Sequence, residues 1–212
     1  MKRIIALCLL AVFTVSGCGV LKGKPEELSV TAYEKIQKAL VSMTSYQAAA
    51  SVTYVSNKGS NDYETFHQCR STGEYRITVT GPEKVAGNVT VSDGTIISQF
   101  NPKISGKISV GSKESYERSE ILITSFVKNY LSSQDVTVAA AALDESICTV
   151  LEAVVPGEHP YLATEKLWVD NETSNPVKLV VYDKNSVERI IVNFTEFQYN
   201  VELDDTVFKA NI

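Results

Sequence analysis

Apolar residues recur at two different spacings along the chain, and stretches with the two spacings alternate. Over residues 33–43 and again over residues 122–131 they recur every three or four positions, which predicts two amphipathic α-helices. Thr31 and Glu34 have the spacing of a capping box, so we expect Thr31 to cap the first helix. Each helix has a broad apolar face that another element must cover.

From residue 45 the spacing changes to two. Apolar and polar or small residues alternate over residues 45–54, as is typical of a half-buried strand. Asp93 and Gly94 lie between two apolar stretches and predict a hairpin turn. Further strands are predicted over residues 64–70, 74–80, 88–92, 95–101, 103–110, 136–142, 147–155, 163–170, 177–183 and 187–199.

About ten to eleven short strands interrupted by two helices predict an α+β fold that is mostly β. We expect an open, incomplete antiparallel barrel with two or more helices packed on its concave face. Neither a low-complexity stretch nor a long linker divides the sequence, so residues 26–212 are expected to form a single domain.

The N-terminal segment has the pattern of an export signal. Lys2 and Arg3 precede an apolar stretch that is too short to span a bilayer, and small residues lead to Cys18. This ending resembles a bacterial lipobox, in which the cysteine thiol receives a diacylglyceryl group before cleavage. We therefore expect a signal peptide at residues 1–17, a lipidated N-terminus and tether at residues 18–25, and anchoring of the exported protein at a bacterial membrane surface.

The chain is acidic. Its formal net charge is -5, and removal of residues 1–17 takes away two positive charges and leaves -7. A nucleic-acid partner is not expected, because neutralising phosphates requires several Lys or Arg on one face. Contact with a membrane is expected through the lipid anchor alone.

Cys69 and Cys148 are the cysteines left for the folded domain, because Cys8 leaves with the signal and Cys18 is assigned to lipid. Export makes a disulfide between them one expectation. Burial as two free thiols is an alternative, because an unpaired cysteine packs as a small apolar side chain. A bridge between two chains is the third.

Signatures of chemistry are missing from the sequence. It contains no nucleophile elbow, Walker loop or dinucleotide fingerprint, so we expect no catalytic residues and no cofactor. His67 and His159 are the only histidines, too few for most zinc sites, so no metal site is expected either. We expect His67 to be a solvated histidine at a sheet edge, His159 to lie in an exposed turn, and Asp204 and Asp205 to be solvated charges.

The last fifty residues carry a family likeness. Residues 167–179, with the sequence LWVDNETSNPVKL, resemble the strand-turn-strand of lipoprotein-sorting proteins of the LolA and LolB type. Residues 190–197, with the sequence IIVNFTEF, are similar to the ending of the same family. The resemblance implies an open antiparallel barrel with helices closing its mouth.

Among lipid-anchored members, the whole chain most resembles the germination lipoproteins of spore-forming clostridia. That resemblance implies a protein of the forespore or spore envelope membrane. It would be a non-catalytic partner and activator of a secreted N-acetylmuramoyl-L-alanine amidase of the CwlD type, needed for cortex modification and germination.

The alternative function is a lipid or lipoprotein carrier that holds acyl chains in the hollow of the barrel. Residues 46–54 could line such a hollow and residues 139–142 could leave room in it, although ordinary core packing also explains both segments. Exposed strand edges of an open barrel make a homodimer a further expectation.

Overall fold

The computed structural model of the protein describes residues 27–104, 107–110, 119–157 and 159–209. The predicted signal peptide at residues 1–17, the lipidation site Cys18 and the tether up to residue 25 lie outside the described residues. Within the described part, no helix is long and apolar enough to cross a membrane.

Eleven strands and two α-helices make up the described domain, as the two hydrophobic spacings predict. The helices are α1 (Val30–Val41) and α2 (Ile123–Ser132), and the strands are β1 (Ser45–Ser56), β2 (Gly59–Arg70), β3 (Tyr75–Gly81), β4 (Val89–Ser92), β5 (Ile97–Phe100), β6 (Lys107–Val110), β7 (Val136–Leu143), β8 (Ser146–Val154), β9 (Thr164–Asp170), β10 (Pro176–Tyr182) and β11 (Glu188–Tyr199). Short 3-10 helices lie at Ser119–Ile121 and Asp205–Phe208.

All eleven strands belong to one antiparallel sheet in the order β6-β5-β4-β3-β2-β1-β11-β10-β9-β8-β7. Each pair of hydrogen-bonded strands is consecutive in sequence except at the centre, where β1 pairs with β11 and joins the two halves of the chain. The two edge strands, β6 and β7, do not pair with each other, so the sheet stays open. The predicted open antiparallel fold is therefore confirmed.

Both helices pack on the same face of the sheet, the face that carries the main core. Ile36 and Leu40 of α1 and Ile123 and Phe126 of α2 are buried in this core. Tyr46 on β1 stacks on Phe197 of β11 with ring centroids 5.1 Å apart. The Tyr46 hydroxyl also accepts a hydrogen bond of 3.2 Å from the backbone N–H of Ile123, so it ties the start of α2 to the sheet.

The cap of α1 differs from the predicted one. The helix begins at Val30, and the Ser29 hydroxyl accepts a hydrogen bond of 3.2 Å from the backbone N–H of Ala32. The capping box expected at Thr31 and Glu34 is wrong, because Thr31 already lies in the first helical turn. Ser29 satisfies an amide that the first turn leaves without an intrahelical partner.

The disulfide between Cys69 and Cys148 does not form in this structure, where both are buried free thiols. Cys69 on β2 belongs to the main core, as does Leu151 on β8. Cys148 lies three positions before Leu151, and because side chains alternate along a strand it points to the opposite face. The two sulfur atoms are therefore separated by the sheet.

A second, smaller core lies on the other face of the sheet. Phe208 of the C-terminal 3-10 helix packs there against Val89 and Val91 of β4. The Arg70 guanidinium lies 4.8 Å from the centre of the Phe208 ring and donates a hydrogen bond of 2.7 Å to Asp205. Asp205, expected to be only a solvated charge, thus helps to hold the C-terminal segment.

Candidate functional site

A cavity of about 430 Å³ lies between the first five strands and the first 3-10 helix. This volume falls in the range of small-molecule sites, which is roughly 300–1,000 Å³. Its lining is mainly aliphatic and aromatic, with several amides and hydroxyls. The lining residues are Val52, Tyr54, Tyr63, Thr65, Ile77, Val79, Val85, Asn88, Val89, Thr90, Gln99, Phe100, Asn101, Ile104 and Ile121.

Of the segments expected to form a hollow, only part of the first lines this cavity. Val52 and Tyr54 lie in its wall, whereas Tyr46, Ala48 and Ala50 pack in the main core. Residues 139–142 do not line it, because β7 is the edge strand at the far end of the sheet order from β3, β4 and β5. Ordinary core packing, the other interpretation of the first segment, therefore accounts for its N-terminal half.

His67 is buried within the sheet and is not a solvated edge residue, so that prediction is wrong. Its Nε2 atom lies 3.0 Å from the Thr65 hydroxyl, which itself donates to the Ala50 carbonyl oxygen. Because the hydroxyl proton is used in that bond, Nε2 is the donor toward Thr65, and Nδ1 has no hydrogen-bond partner. Burial lowers the pKa of His67 to about 4, so the ring is neutral near pH 7.

His67 and Cys69 do lie on the same inner face of β2, as their spacing predicts. The described residues hold no group of three or more His, Cys, Asp or Glu that could bind a metal ion. Burial raises the pKa of the Cys69 thiol to about 12, so the sulfur is protonated near neutral pH. The pair is therefore part of the packed interior of the sheet.

Glu165 is a buried charged residue that the sequence reasoning missed. It lies on the inner face of β9, is 1% exposed, and accepts a hydrogen bond of 2.8 Å from the side-chain amide of Asn129 on α2. Burial and the nearby Glu120 carboxylate raise the pKa of Glu165 to about 7, although the Asn129 bond opposes the rise. The spacing of Glu165 and Leu167 could have indicated its burial, because residues two apart on a strand lie on the same face.

The comparisons with known proteins place the chain in a family of sporulation proteins. A family model described as "Sporulation protein YdcC-like" matches residues 1–208. No curated protein matches the sequence. An uncharacterized conserved protein from Thermus thermophilus has a TM-score of 0.53 and 12% identity, with 84% of this chain and 90% of that chain covered.

Two further structural neighbours carry informative names. The structure of the CwlD amidase from Clostridioides difficile in complex with the GerS lipoprotein matches with 29% identity and a TM-score of 0.49, covering 84% of this chain and 99% of that chain. A LolA superfamily protein from Nitrosomonas europaea matches with 13% identity and a TM-score of 0.47, covering 85% and 97%. LolA superfamily proteins and GerS are thus among the neighbours, as the sequence motifs predict.

Proposed function

Because the chain belongs to the YdcC-like sporulation protein family, we propose that it is a membrane-anchored, non-catalytic binding protein for a secreted cell-wall amidase of the CwlD type. In this role it supports the amidase during cortex modification, on which spore germination depends. The family match over residues 1–208 is the observation that carries the proposal, because it covers both the predicted export signal and the folded domain.

The class of partner comes from one related protein. In the C. difficile structure, the GerS lipoprotein is in complex with the CwlD amidase. Extension of that pairing to this chain rests on the sequence, namely on the family match and on the likeness of residues 167–179 and 190–197 to the ending of LolA-type proteins.

The proposal includes export and lipidation. Residues 1–17 are the proposed signal peptide, and Cys18 is the proposed acceptor of the diacylglyceryl group, at the forespore or spore envelope membrane. Two acyl chains anchor stably, because each buried CH2 contributes about 0.8 kcal/mol. Mass spectrometry of the mature N-terminus tests this step, and an unmodified residue 18 would contradict it.

Binding to purified amidase tests the main proposal. We expect the full chain in mild detergent to form a complex with a CwlD-type amidase in size-exclusion chromatography with light scattering. We also expect it to raise amidase activity or stability on cortex peptidoglycan while showing no turnover alone. An unrelated secreted amidase is the control. Lack of a complex at concentrations of tens of micromolar would contradict the proposal.

The same light-scattering measurement reports on self-association. A homodimer is part of the proposal, because an open sheet leaves edge strands with unpaired backbone groups that can join a second copy. We expect the mass of two chains without amidase. A monomer at every concentration would remove this part of the proposal and leave amidase binding untouched.

A second candidate function is the carriage of acyl chains, and the 430 Å³ cavity with its largely apolar lining favours it. Mass spectrometry of gently extracted protein should then find lipid bound to the folded domain. Val79 lines the cavity, so Val79→Phe should reduce the amount of lipid, whereas Val41→Phe on the exposed side of α1 should not. Equal lipid content in both variants would contradict carriage in this cavity.

A further inference from the structure

Strand β7 is an edge strand of the sheet. It is eight residues long and pairs with β8 on one side, and no other described strand pairs with its second side. A free edge of this length offers a row of backbone N–H and C=O groups to another strand. Natural edge strands are commonly protected by Lys or Pro, and residues 136–143 contain neither.

The main core reaches this edge and is only partly covered there. Val138 packs against the core and is opposite Leu151 in the register of β7 and β8. Val136 lies on the same face of the strand, two positions away, and is 41% exposed. A strand added beside β7 would cover this face if its own inward side chains were apolar.

Acidic residues flank the edge at both ends. Asp135 precedes β7, and Asp144 and Glu145 form the turn that follows it, all three exposed. Residues 133–157, which include the whole β7–β8 hairpin, contain no Lys or Arg. On the neighbouring strand β9, Lys166 is already paired with Glu152 at 3.2 Å. The edge is therefore an uncharged strip between two acidic ends, and its own hairpin supplies no positive charge.

The acidic residues at the two ends of β7 determine which kind of strand can pair with it. A second copy paired antiparallel through β7 would bring Asp135 of each chain against Asp144 and Glu145 of the other. Like charges placed opposite each other across strands are destabilising, so the proposed homodimer is not expected to form through β7. A strand with basic residues at its ends would instead form opposite-charge pairs at both ends of β7.

We propose that β7 is the docking edge for an extended segment of a protein partner, with apolar side chains at alternate positions and Lys or Arg at its ends. Backbone hydrogen bonds would supply affinity, and the inward side chains and basic ends would supply specificity. The inference deepens the proposed function and rests on it only in taking the chain to be a binding protein. It does not depend on which enzyme is bound.

Synthetic peptides test the inference without any amidase. The probes are a short peptide of alternating Thr and Val with two lysines at each end, the same peptide with two glutamates at each end, and the lysine peptide with a central proline. Binding to the full chain in mild detergent is followed by fluorescence anisotropy. Hydrogen exchange locates the protected amides.

We expect the lysine peptide to slow exchange of the amides of residues 136–143 and to bind about three- to tenfold more tightly than the glutamate peptide, as expected for two or more exposed ion pairs. The proline peptide should not bind, because it lacks a donor for the ladder. Val136→Lys should weaken binding at least tenfold, while Val41→Lys, at an exposed valine on α1, should leave it unchanged. The double change Asp135→Lys with Glu145→Lys should make the glutamate peptide the tighter ligand.

Several results would overturn the inference. If the lysine peptide does not protect the amides of residues 136–143 from exchange, β7 is not the docking edge. If the lysine and glutamate peptides bind with equal affinity, the acidic ends do not select the partner. If Val136→Lys dissociates a homodimer and Val41→Lys does not, the strand that binds β7 belongs to a second copy of this chain. An amidase complex that survives Val136→Lys would contradict docking at β7 while the proposed function stands. Peptide binding at β7 without formation of an amidase complex would contradict the proposed function and leave the docking edge in place.

Discussion

Replacement of Glu165 by Gln tests whether a buried carboxyl group limits the stability of the domain. The side chain lies between β9 and α2, where it accepts a hydrogen bond of 2.8 Å from the Asn129 amide. Gln has nearly the same shape and keeps a carbonyl oxygen that can accept this bond. Glu165→Gln therefore removes the ionisation and leaves the packing of α2 in place.

The size of the effect follows from the pKa of the carboxyl group. Its ordinary pKa is 4.5, and burial with the neighbouring Glu120 carboxylate raises it to about 7 in the folded protein. One pKa unit corresponds to 1.36 kcal/mol, so the full difference corresponds to about 3 kcal/mol. The folded state holds this proton more tightly than the unfolded chain. The free energy of unfolding therefore falls as the pH rises from about 4.5 to about 7, and the loss is complete above that.

Chemical denaturation followed by circular dichroism measures this difference. The unmodified protein and Glu165→Gln should differ little at pH 4.5, and at pH 8 the variant should be more stable by about 3 kcal/mol. Glu145→Gln, in the exposed turn after β7, is the matched control and should follow the unmodified protein at both pH values. The comparison cancels every other titrating group that the proteins share.

Parallel stability curves for the unmodified protein and Glu165→Gln between pH 4.5 and pH 8 would refute the reasoning. They would mean that burial does not oppose ionisation of Glu165. A variant that is less stable at every pH would instead show that the carboxyl group contributes more by hydrogen bonding than it costs by burial.

Three further predictions concern other buried side chains of the sheet. Burial lowers the pKa of His67 to about 4, so the unmodified protein should lose up to about 3 kcal/mol of unfolding free energy as the pH falls from 6.5 to 4. His67→Gln should flatten the dependence of the unfolding free energy on pH in this range, as measured by chemical denaturation. Tyr46→Phe should lower the free energy of unfolding by about 1–3 kcal/mol, because it leaves the buried Ile123 N–H without its acceptor. An unfolding free energy that chemical denaturation finds unchanged in this variant would contradict the prediction. Cys69 and Cys148, both buried with the pKa raised by burial, should react with a thiol reagent only after denaturation, and native labelling of either would show that it is accessible.

Local pattern was sufficient to predict most of the elements. The alternation of residues 45–54 became β1, and the turn at Asp93 and Gly94 joins β4 to β5, with the Asp93 carboxylate accepting hydrogen bonds from the N–H groups of Thr95 and Ile96. Such features are encoded by neighbouring residues, because side-chain period and turn conformation are local properties. The cap at Ser29 was missed because two overlapping start signals lay within three residues of each other.

The roles of particular side chains could not be obtained in the same way. Alternation shows that His67 and Cys69 share a face of β2, and that Cys148 and Leu151 do not share one on β8. It does not show which of these faces is covered by helices. The burial of His67, the separation of the two thiols and the contact of Glu165 with Asn129 all depend on that choice.

The sequence by itself determined the helical and extended segments and the family likeness, because hydrophobic spacing, turns and motifs are formed by residues that are close together in the chain. The tertiary structure alone decided the pairing of β1 with β11, the inner and outer faces of the sheet, the cavity beside β1–β5 and the open edge at β7. These features join residues that are far apart in sequence, and their energies depend on burial and charge that exist only once the strands have assembled.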